Sequence, residues 1–336
     1  MPETVLVTGG TGFVAGWCIV DLLERGYLVR TTLRSLSKAP ALRATIAAAG
    51  ANTDGLSFVA ADLTQDAGWD EAMAGCDYVL HVASPLGGGM PRDRNSFVEP
   101  ARDGTIRVLK AAVGAGIKRV VMTSAAATAR PPLSTDRVSD ETIWADPDDP
   151  QFDAYRVSKI LAERAAWDFM KTSGGTTELT TVLPGAVFGP ILSAENLGSV
   201  KILQDLLEGR PRAMPKLGFW VVDVRDLADL HIRAMTSPEA AGERFIAAGD
   251  FMWMDEIAST LRTNLGSLGK TPTRQLPTFV VRLLLPFLPS VRTLAPLIGR
   301  KFRLSSDKAR RVLGFSPRPG TVTVTDCGES LLERTS

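Results

Sequence analysis

The chain is poor in cysteine, has no long apolar run and carries no excess of either charge. Its three cysteines, Cys18, Cys76 and Cys327, are odd in number and lack metal-ligand spacing. That argues against a disulfide framework and a thiolate metal site, and fits a reducing compartment. The most hydrophobic stretch, Phe279 to Leu288, is interrupted by Arg282 and Pro286. It is too short to cross a bilayer and reads as a core or interface helix. With 38 Lys+Arg against 37 Asp+Glu, the net charge is +1, and the basic footprint of a nucleic-acid or anionic-membrane binder is missing. No secretory leader is expected, because Met1-Pro2-Glu3 passes at once into a strand pattern. No internal repeat or low-complexity tract is visible. The expected protein is cytoplasmic, a monomer or homodimer, with no metal and with neither nucleic acid nor membrane as partner.

What is present is concentrated at the start. Val5-Leu6-Val7-Thr8 is a short apolar and β-branched run, followed by Gly9-Gly10-Thr11-Gly12 and a helical pattern from Phe13-Val14-Ala15 to Leu22-Leu23. A buried strand, a turn whose glycines let backbone approach phosphate, and a helix N-terminus with free N–H groups together make a dinucleotide site. The spacing is Gly9-x-x-Gly12-x-x-Ala15, with a small residue at the last position for close helix–strand packing.

Strand and helix patterns then alternate. Strands are read at 27–33, 56–60, 78–82, 118–123 and 178–183, and helices at 39–49, 67–74, 97–115 and 154–170. Such alternation predicts parallel βαβ units in an α/β, Rossmann-type doubly wound sheet. After Pro184 the alternation fails, proline becomes frequent, and helices over 199–207 and 254–265 stand apart. A smaller, mostly helical C-terminal substrate lobe is expected over 186–218 and 251–336. The dinucleotide domain spans 1–185 and about 219–250, with a return to the main sheet around 219–234.

The second strand ends Thr32-Leu33-Arg34-Ser35, with Lys38 nearby and no acid between Arg30 and Thr53. An acid there accepts from a ribose 2′-hydroxyl, whereas an arginine clamps a 2′-phosphate. NADPH (NADP+) is therefore expected rather than NADH. Asp62-Leu63 follows the third strand, where Asp62 can meet the adenine amino group or simply cap the next helix. On the long helix, Tyr155 and Lys159 lie one turn apart on one face. A nearby ammonium favours phenolate and lowers a phenol pKa from its usual ~10, so the pair suits general acid/base work.

These motifs resemble the extended short-chain dehydrogenases/reductases, and within them the group of dihydroflavonol 4-reductase, cinnamoyl-CoA reductase and ketone/aldehyde reductases. The resemblance rests on Val5 to Val14, Val29 to Arg34, His81-Val82-Ala83-Ser84-Pro85, Val120 to Ser124, Asp140 to Trp144, Tyr155 to Glu163, Leu183-Pro184-Gly185, and Ser305 to Phe315. It implies carbonyl reduction by NADPH, with Tyr155 as proton donor and Lys159 as its modulator. It also implies a cofactor lined by Gly9, Thr11, Gly12, Phe13, Val14, Arg34, Lys38, Asp62, Leu63, Val82, Ala83, Ser84, Thr123, Pro184, Gly185 and Val187, besides Tyr155 and Lys159. Pro85, Ala125, Trp144 and Trp220 fall on segments that flank the substrate, and an apolar or aromatic carbonyl of small to medium size follows as an expectation.

One departure stands out. The family usually has a serine two residues after the fifth strand's last threonine, to hydrogen-bond the substrate carbonyl, and here that position is Ala125 in Thr123-Ser124-Ala125-Ala126-Ala127-Thr128. Ser124 is assigned the role, with Thr123, Thr128, Tyr155 acting alone, or a weakened or engineered variant as alternatives. His81 and His231 read as packed, hydrogen-bonded histidines, and Asp146-Pro147-Asp148-Asp149-Pro150 as a surface turn. The rival activities are an NAD(P)-dependent epimerase/dehydratase, a sterol dehydrogenase, and a redox-sensing regulator that binds NADP without chemistry.

Overall fold

A computed structural model describes residues 2–84, 95–173, 175–284 and 297–335. In chain order the first half runs β1 (Thr4–Val7), α1 (Phe13–Glu24), β2 (Leu28–Leu33), α2 (Ala39–Ala48), β3 (Leu56–Ala60), α3 (Trp69–Met73), β4 (Tyr78–His81), α4 (Asn95–Gly114), β5 (Arg119–Thr123), α5 (Ala154–Thr172) and β6 (Glu178–Pro184). The second half adds β7 (Ala186–Phe188), α6 (Lys201–Leu207), β8 (Ala213–Pro215), β9 (Gly218–Asp223), α7 (Val224–Thr236), β10 (Arg244–Ala247), β11 (Phe251–Trp253), α8 (Met254–Leu265), β12 (Arg274–Leu276), α9 (Thr278–Leu284), α10 (Asp307–Leu313) and α11 (Gly320–Thr335).

Seven parallel strands form the main sheet in the order β10-β6-β5-β4-β1-β2-β3. Its central strands are buried on both faces, which is why they read as continuous runs such as Val120-Val121-Met122 rather than alternating ones. On one face Ile19, Leu22, Val224, Leu227 and Leu230 of α1 and α7 pack against Val5, Val7 and Val121. On the other, Trp69, Val108, Leu109, Ala162 and Ala166 of α3, α4 and α5 cover Leu6, Val79 and Val120. The strand order reverses between β1 and β4, the kind of switch point at which α/β sheets bind ligands.

Of the expected return to the main sheet at 219–234, α7 packs on a face of that sheet, whereas the strand is not one of its members. β9 pairs with β7 and β11 in a separate three-stranded sheet, and the seventh main-sheet strand is β10, which pairs with β6. The run Phe219–Asp223 is indeed a strand, but periodicity within a strand does not say which neighbour it pairs with. The lobe is also less helical than expected, since a two-stranded sheet joins β12 to β8. Its core is Phe188, Leu203, Leu206, Met214, Ile257, Leu261, Cys327 and Leu331. The helix read at 67–74 shortens to α3 because Gly68, at φ 87°, breaks the turn before it. That at 199–207 starts with a 3-10 turn ahead of α6.

Of the apolar stretch 279–288, α9 is described to Leu284, and it leaves Phe279 and Leu283 72% and 70% exposed. Residues 285–288 lie outside the described residues. Among the described residues, no helix is long and apolar enough to cross a membrane.

Gly185 joins the main sheet to the small one. Its N–H donates to Ala247 O at 3.0 Å, and a Cβ there would sit 2.2 Å from Trp220 O. Backbone carbonyls cannot swing aside as a flexible side chain can, so Gly185→Ala is expected to destabilise the protein by about 1–3 kcal/mol. Chemical denaturation followed by tryptophan fluorescence measures it.

Candidate active site

The glycine turn is held from two sides, by β4 and by β2. Thr8 N–H donates to Leu80 O at 3.0 Å, Gly9 N–H to Thr32 Oγ1 at 2.8 Å, and Gly10 N–H to Thr32 O at 3.1 Å. There is no room for side chains: a Cβ on Gly9 (φ 71°) would lie 2.9 Å from Ala83 Cβ, and one on Gly10 2.4 Å from Thr31 Oγ1. The N-cap of α1 is Gly12, whose position offers no side-chain acceptor, so the first-turn N–H groups remain available to an anion. Arg34 is exposed just past β2, close enough to Asp62 to help lower that carboxyl's pKa behind the main cause, the Thr64 backbone N–H. A dinucleotide fits these residues. The uncapped N–H groups would take its pyrophosphate, and the Arg34 guanidinium would be the group nearest its ribose.

Other residues expected at the cofactor fall around this turn to different degrees. Val82-Ala83-Ser84 passes directly over it, Ala83 N–H donating to Thr8 Oγ1 at 2.9 Å. Phe13 and Val14 pack their side chains into the core, and Thr11 offers its carbonyl to Asn196 Nδ2 at 3.5 Å. Lys38 is paired with Glu195 at 2.9 Å. Asp62 accepts from Thr64 N and Oγ1 at 2.9 and 2.8 Å, so it turns the chain after β3, while the N-cap of α3 is Gly68. Leu63 is partly buried against the α3–α4 core. Pro184 ends β6, and Val187 N–H on β7 donates to Ser199 Oγ at 3.2 Å.

Tyr155 and Lys159 stand near the start of α5, which Asp153 caps by accepting from Arg156 N–H at 2.8 Å. Lys159 is buried, and its Nζ donates to Thr123 O at 3.2 Å, fixing the helix against the end of β5. Burial pushes the ammonium down to about 8, opposed by the charge of Glu163. Tyr155 departs from expectation. Its pKa is raised, because desolvation outweighs the charge of Arg156, and the lysine that was to lower it directs its Nζ to the Thr123 carbonyl. The phenol is thereby kept in its acid form.

The three hydroxyls considered as replacements at Ala125 all give their protons to the protein. Thr128 Oγ1 donates to Ala125 O at 2.9 Å, and Ser124 Oγ to Glu163 Oε2 at 2.6 Å. Thr123 Oγ1 lies 2.7 Å from His231 Nε2, and His231 Nδ1 lies 2.7 Å from Leu227 O. A carbonyl only accepts, so Nδ1 carries the hydrogen, Nε2 is the acceptor, and Thr123 is the donor. His81 is fixed likewise. Thr105 Oγ1 donates to Ala101 O at 2.9 Å and lies 3.5 Å from His81 Nε2, which leaves Nδ1 to accept from Thr8 Oγ1 at 3.0 Å. His81 thus ties the glycine turn to β4 and α4.

Around the carbonyl side, Ala125 begins the turn after β5, Trp144 is 39% exposed, and Trp220 Nε1 donates to Phe302 O at 3.0 Å. Pro85 lies outside the described residues. Within Asp146–Pro150, Asp146 and Asp149 accept from Asp148 N–H and Gln151 N–H at 3.0 and 2.9 Å, as a turn does. Sequence reasoning missed two groups that the fold brings to this site. Glu163 is fully buried behind Ser124, and Arg244 on β10 is its ion-pair partner at 2.9 Å. Glu163 carried a signal, four residues after Lys159 on the same face, whereas Arg244 sits in an unremarked strand about 80 residues away.

A profile of the NAD dependent epimerase/dehydratase family matches residues 5–248. The ketoreductase azaE of Aspergillus niger is 32% identical over 357 aligned positions, covering 99% of each chain. Cinnamoyl-CoA reductase 1 of Petunia hybrida is 36% identical over 265 positions, covering 77% of this chain and 76% of the relative. Among solved structures, Gre2 of Candida albicans in complex with NADPH superposes with a TM-score of 0.84 at 26% identity over 100% of both chains. Yeast methylglyoxal/isovaleraldehyde reductase Gre2 complexed with NADPH gives 0.80 at 25% identity over 98% of both.

The histidines set an acid limit to stability. Burial lowers His81 to about 3 and His231 to about 4, from an ordinary 6.5. Between these values the unfolded chain binds protons that the folded one refuses, so stability is full above pH 6.5 and falls as pH drops toward 4. The expected slope is up to about 1.4 kcal/mol per pH unit for each histidine. Denaturant unfolding at pH 7, 6 and 5 measures it, and a flat profile contradicts the neutral tautomers.

Proposed function

The chain belongs to the NAD dependent epimerase/dehydratase family, the extended short-chain dehydrogenases/reductases, and is an NAD(P)-dependent reductase; from that premise we propose that it reduces a small to medium ketone or aldehyde with NADPH, Tyr155 giving the proton. The observation that carries this reading is the pair on α5: a phenol kept protonated by burial and a buried ammonium one turn away, at the C-terminal ends of β4 and β5.

When bound, NADPH supplies the hydride. The chain's own residues do the rest. The α1 N-terminus and the glycine turn would hold its pyrophosphate, and Arg34 and Lys38 would be the cations for its 2′-phosphate. Tyr155 hydrogen-bonds the carbonyl oxygen and passes it a proton as negative charge develops there. Lys159, anchored on Thr123 O, favours the phenolate left behind. Ser124, Thr123 and Thr128 direct their protons into the protein, so Tyr155 is the hydroxyl left to polarise the substrate among the candidates considered. Trp144 and Trp220 suit an apolar or aromatic substrate. All three cysteines are free thiols, in keeping with a cytoplasmic setting.

Steady-state NADPH oxidation with a panel of aldehydes, ketones and diketones tests the activity. Tyr155→Phe is expected to lose about a hundred-fold or more in kcat with NADPH affinity within about twofold of wild type. Unchanged turnover removes the assignment. Ala125→Ser offers the carbonyl a second donor and is expected to raise kcat, by up to about a hundred-fold if the new hydroxyl reaches the oxyanion. Arg34→Ala should weaken NADPH by roughly ten-fold or more and leave NADH nearly unaffected, as read by fluorescence titration.

A further inference from the structure

Behind the site lies a buried charge pair that the proposed reaction does not use. Glu163 is fully buried on α5, and its carboxylate accepts four hydrogen bonds. Thr181 Oγ1 and Arg244 Nε reach Oε1 at 2.8 and 2.9 Å, and Ser124 Oγ and Arg244 Nη2 reach Oε2 at 2.6 and 3.4 Å. These donors come from three different places: the end of β5, the middle of β6, and β10. Arg244 carries the connection onward. Its Nη1 donates to Glu141 O and Ile143 O at 2.8 and 2.7 Å, its Nη2 to Thr128 Oγ1 at 3.2 Å, and its guanidinium lies 3.8 Å from the Trp144 ring centroid.

A buried ion pair contributes little net stability over apolar side chains of the same volume, so its worth lies in fixing geometry. This one locks together the elements that must agree for the reaction. They are α5 with Tyr155 and Lys159, the β5 end with Thr123 O and Ala125, and the 141–144 segment with Trp144. On the basis of the proposed reduction, we infer that Glu163 is a positioning residue. Paired with Arg244, it sets the Tyr155–Lys159 helix against the substrate-facing segment and keeps the Lys159 ammonium charged.

The groups facing Lys159 agree with this. On its own helix are Tyr155 and, one turn on, Glu163. β5 presents the Thr123 carbonyl. β4 presents His81, which burial holds neutral, and Arg244 on β10 is the ion-pair partner of Glu163. The anion that counters desolvation at Lys159 is Glu163, and removing its charge lowers the lysine further. Loss of the ammonium then sets in at a lower pH, so the alkaline decline in turnover moves toward neutrality. A purely structural glutamate would not move that limb.

The experiment compares the whole enzyme with E163Q, using NADPH and the best carbonyl of the panel. Expected are a kcat reduced about tenfold or more and an alkaline limb moved down by about one pH unit. NADPH affinity should stay within about twofold of wild type. A folded, NADPH-binding E163Q enzyme whose pH profile is unmoved overturns the inference, whatever its kcat. Should E163Q not fold, Thr181→Val withdraws one donor from the same carboxylate with little change of shape. A loss in kcat of about threefold or more with NADPH binding intact is then expected, and a wild-type kcat overturns the inference. Tyr155→Phe, run alongside, separates the two failures. Turnover surviving in that variant sinks the reduction mechanism itself, whereas an inactive Tyr155→Phe beside an unaltered E163Q sinks only the role of Glu163.

Discussion

Arg244 uses all five of its N–H donors inside the protein, two on Glu163, two on the carbonyls of Glu141 and Ile143, and one on Thr128. A guanidinium removed from water is tolerated only when every donor is met and an opposite charge is adjacent. Leaving either partner uncompensated typically costs about 3–5 kcal/mol. The demand for satisfaction is what shapes the surroundings. It draws the Ser124 proton inward, aligns the turn at Thr128, and brings the 141–143 backbone back against β10. Trp144 then rests its ring on the guanidinium. Much of the carbonyl side of the site is arranged around this one buried charge.

The cofactor side obeys a different constraint, close approach of backbone. Gly9, Gly10 and Gly12 bring the chain between β2, β4 and the start of α1 with no side chain in the way. The Thr8–His81–Thr105 chain of hydrogen bonds then prevents that turn from drifting, since each partner has one direction in which it can donate. His81 serves by being neutral. A protonated imidazole would carry a hydrogen on Nδ1 as well, and the bond that Thr8 donates to it would be lost.

The two sides meet at Lys159. Its ammonium sits on the last carbonyl of β5, near Glu163 and away from water, so its charge is available to the site. The same desolvation that lowers the lysine raises the tyrosine. Burial therefore moves the two groups in opposite directions, the ammonium below its ordinary value and the phenol above its own. In the sequence the lysine alone was expected to act on the tyrosine. In the fold the low-dielectric surroundings act on both.

The sequence by itself determined the parallel sheet, the glycine turn and the Tyr155–Lys159 pair, because each is a local pattern: a run of apolar residues, glycines at fixed spacing, two side chains one turn apart. Six of the seven main-sheet strands were legible within a residue or two for the same reason, and β10 was not read. Where Gly218–Asp223 would pair was not, since a strand's own residues do not name its neighbour. Nor was the fate of Ser124, Thr123 and Thr128. Whether a hydroxyl faces a substrate or a buried acceptor depends on residues such as Glu163, His231 and Arg244, brought alongside from up to 116 positions away. Only the tertiary structure decides that, because a proton's direction is set by whichever acceptor the packed interior places within reach.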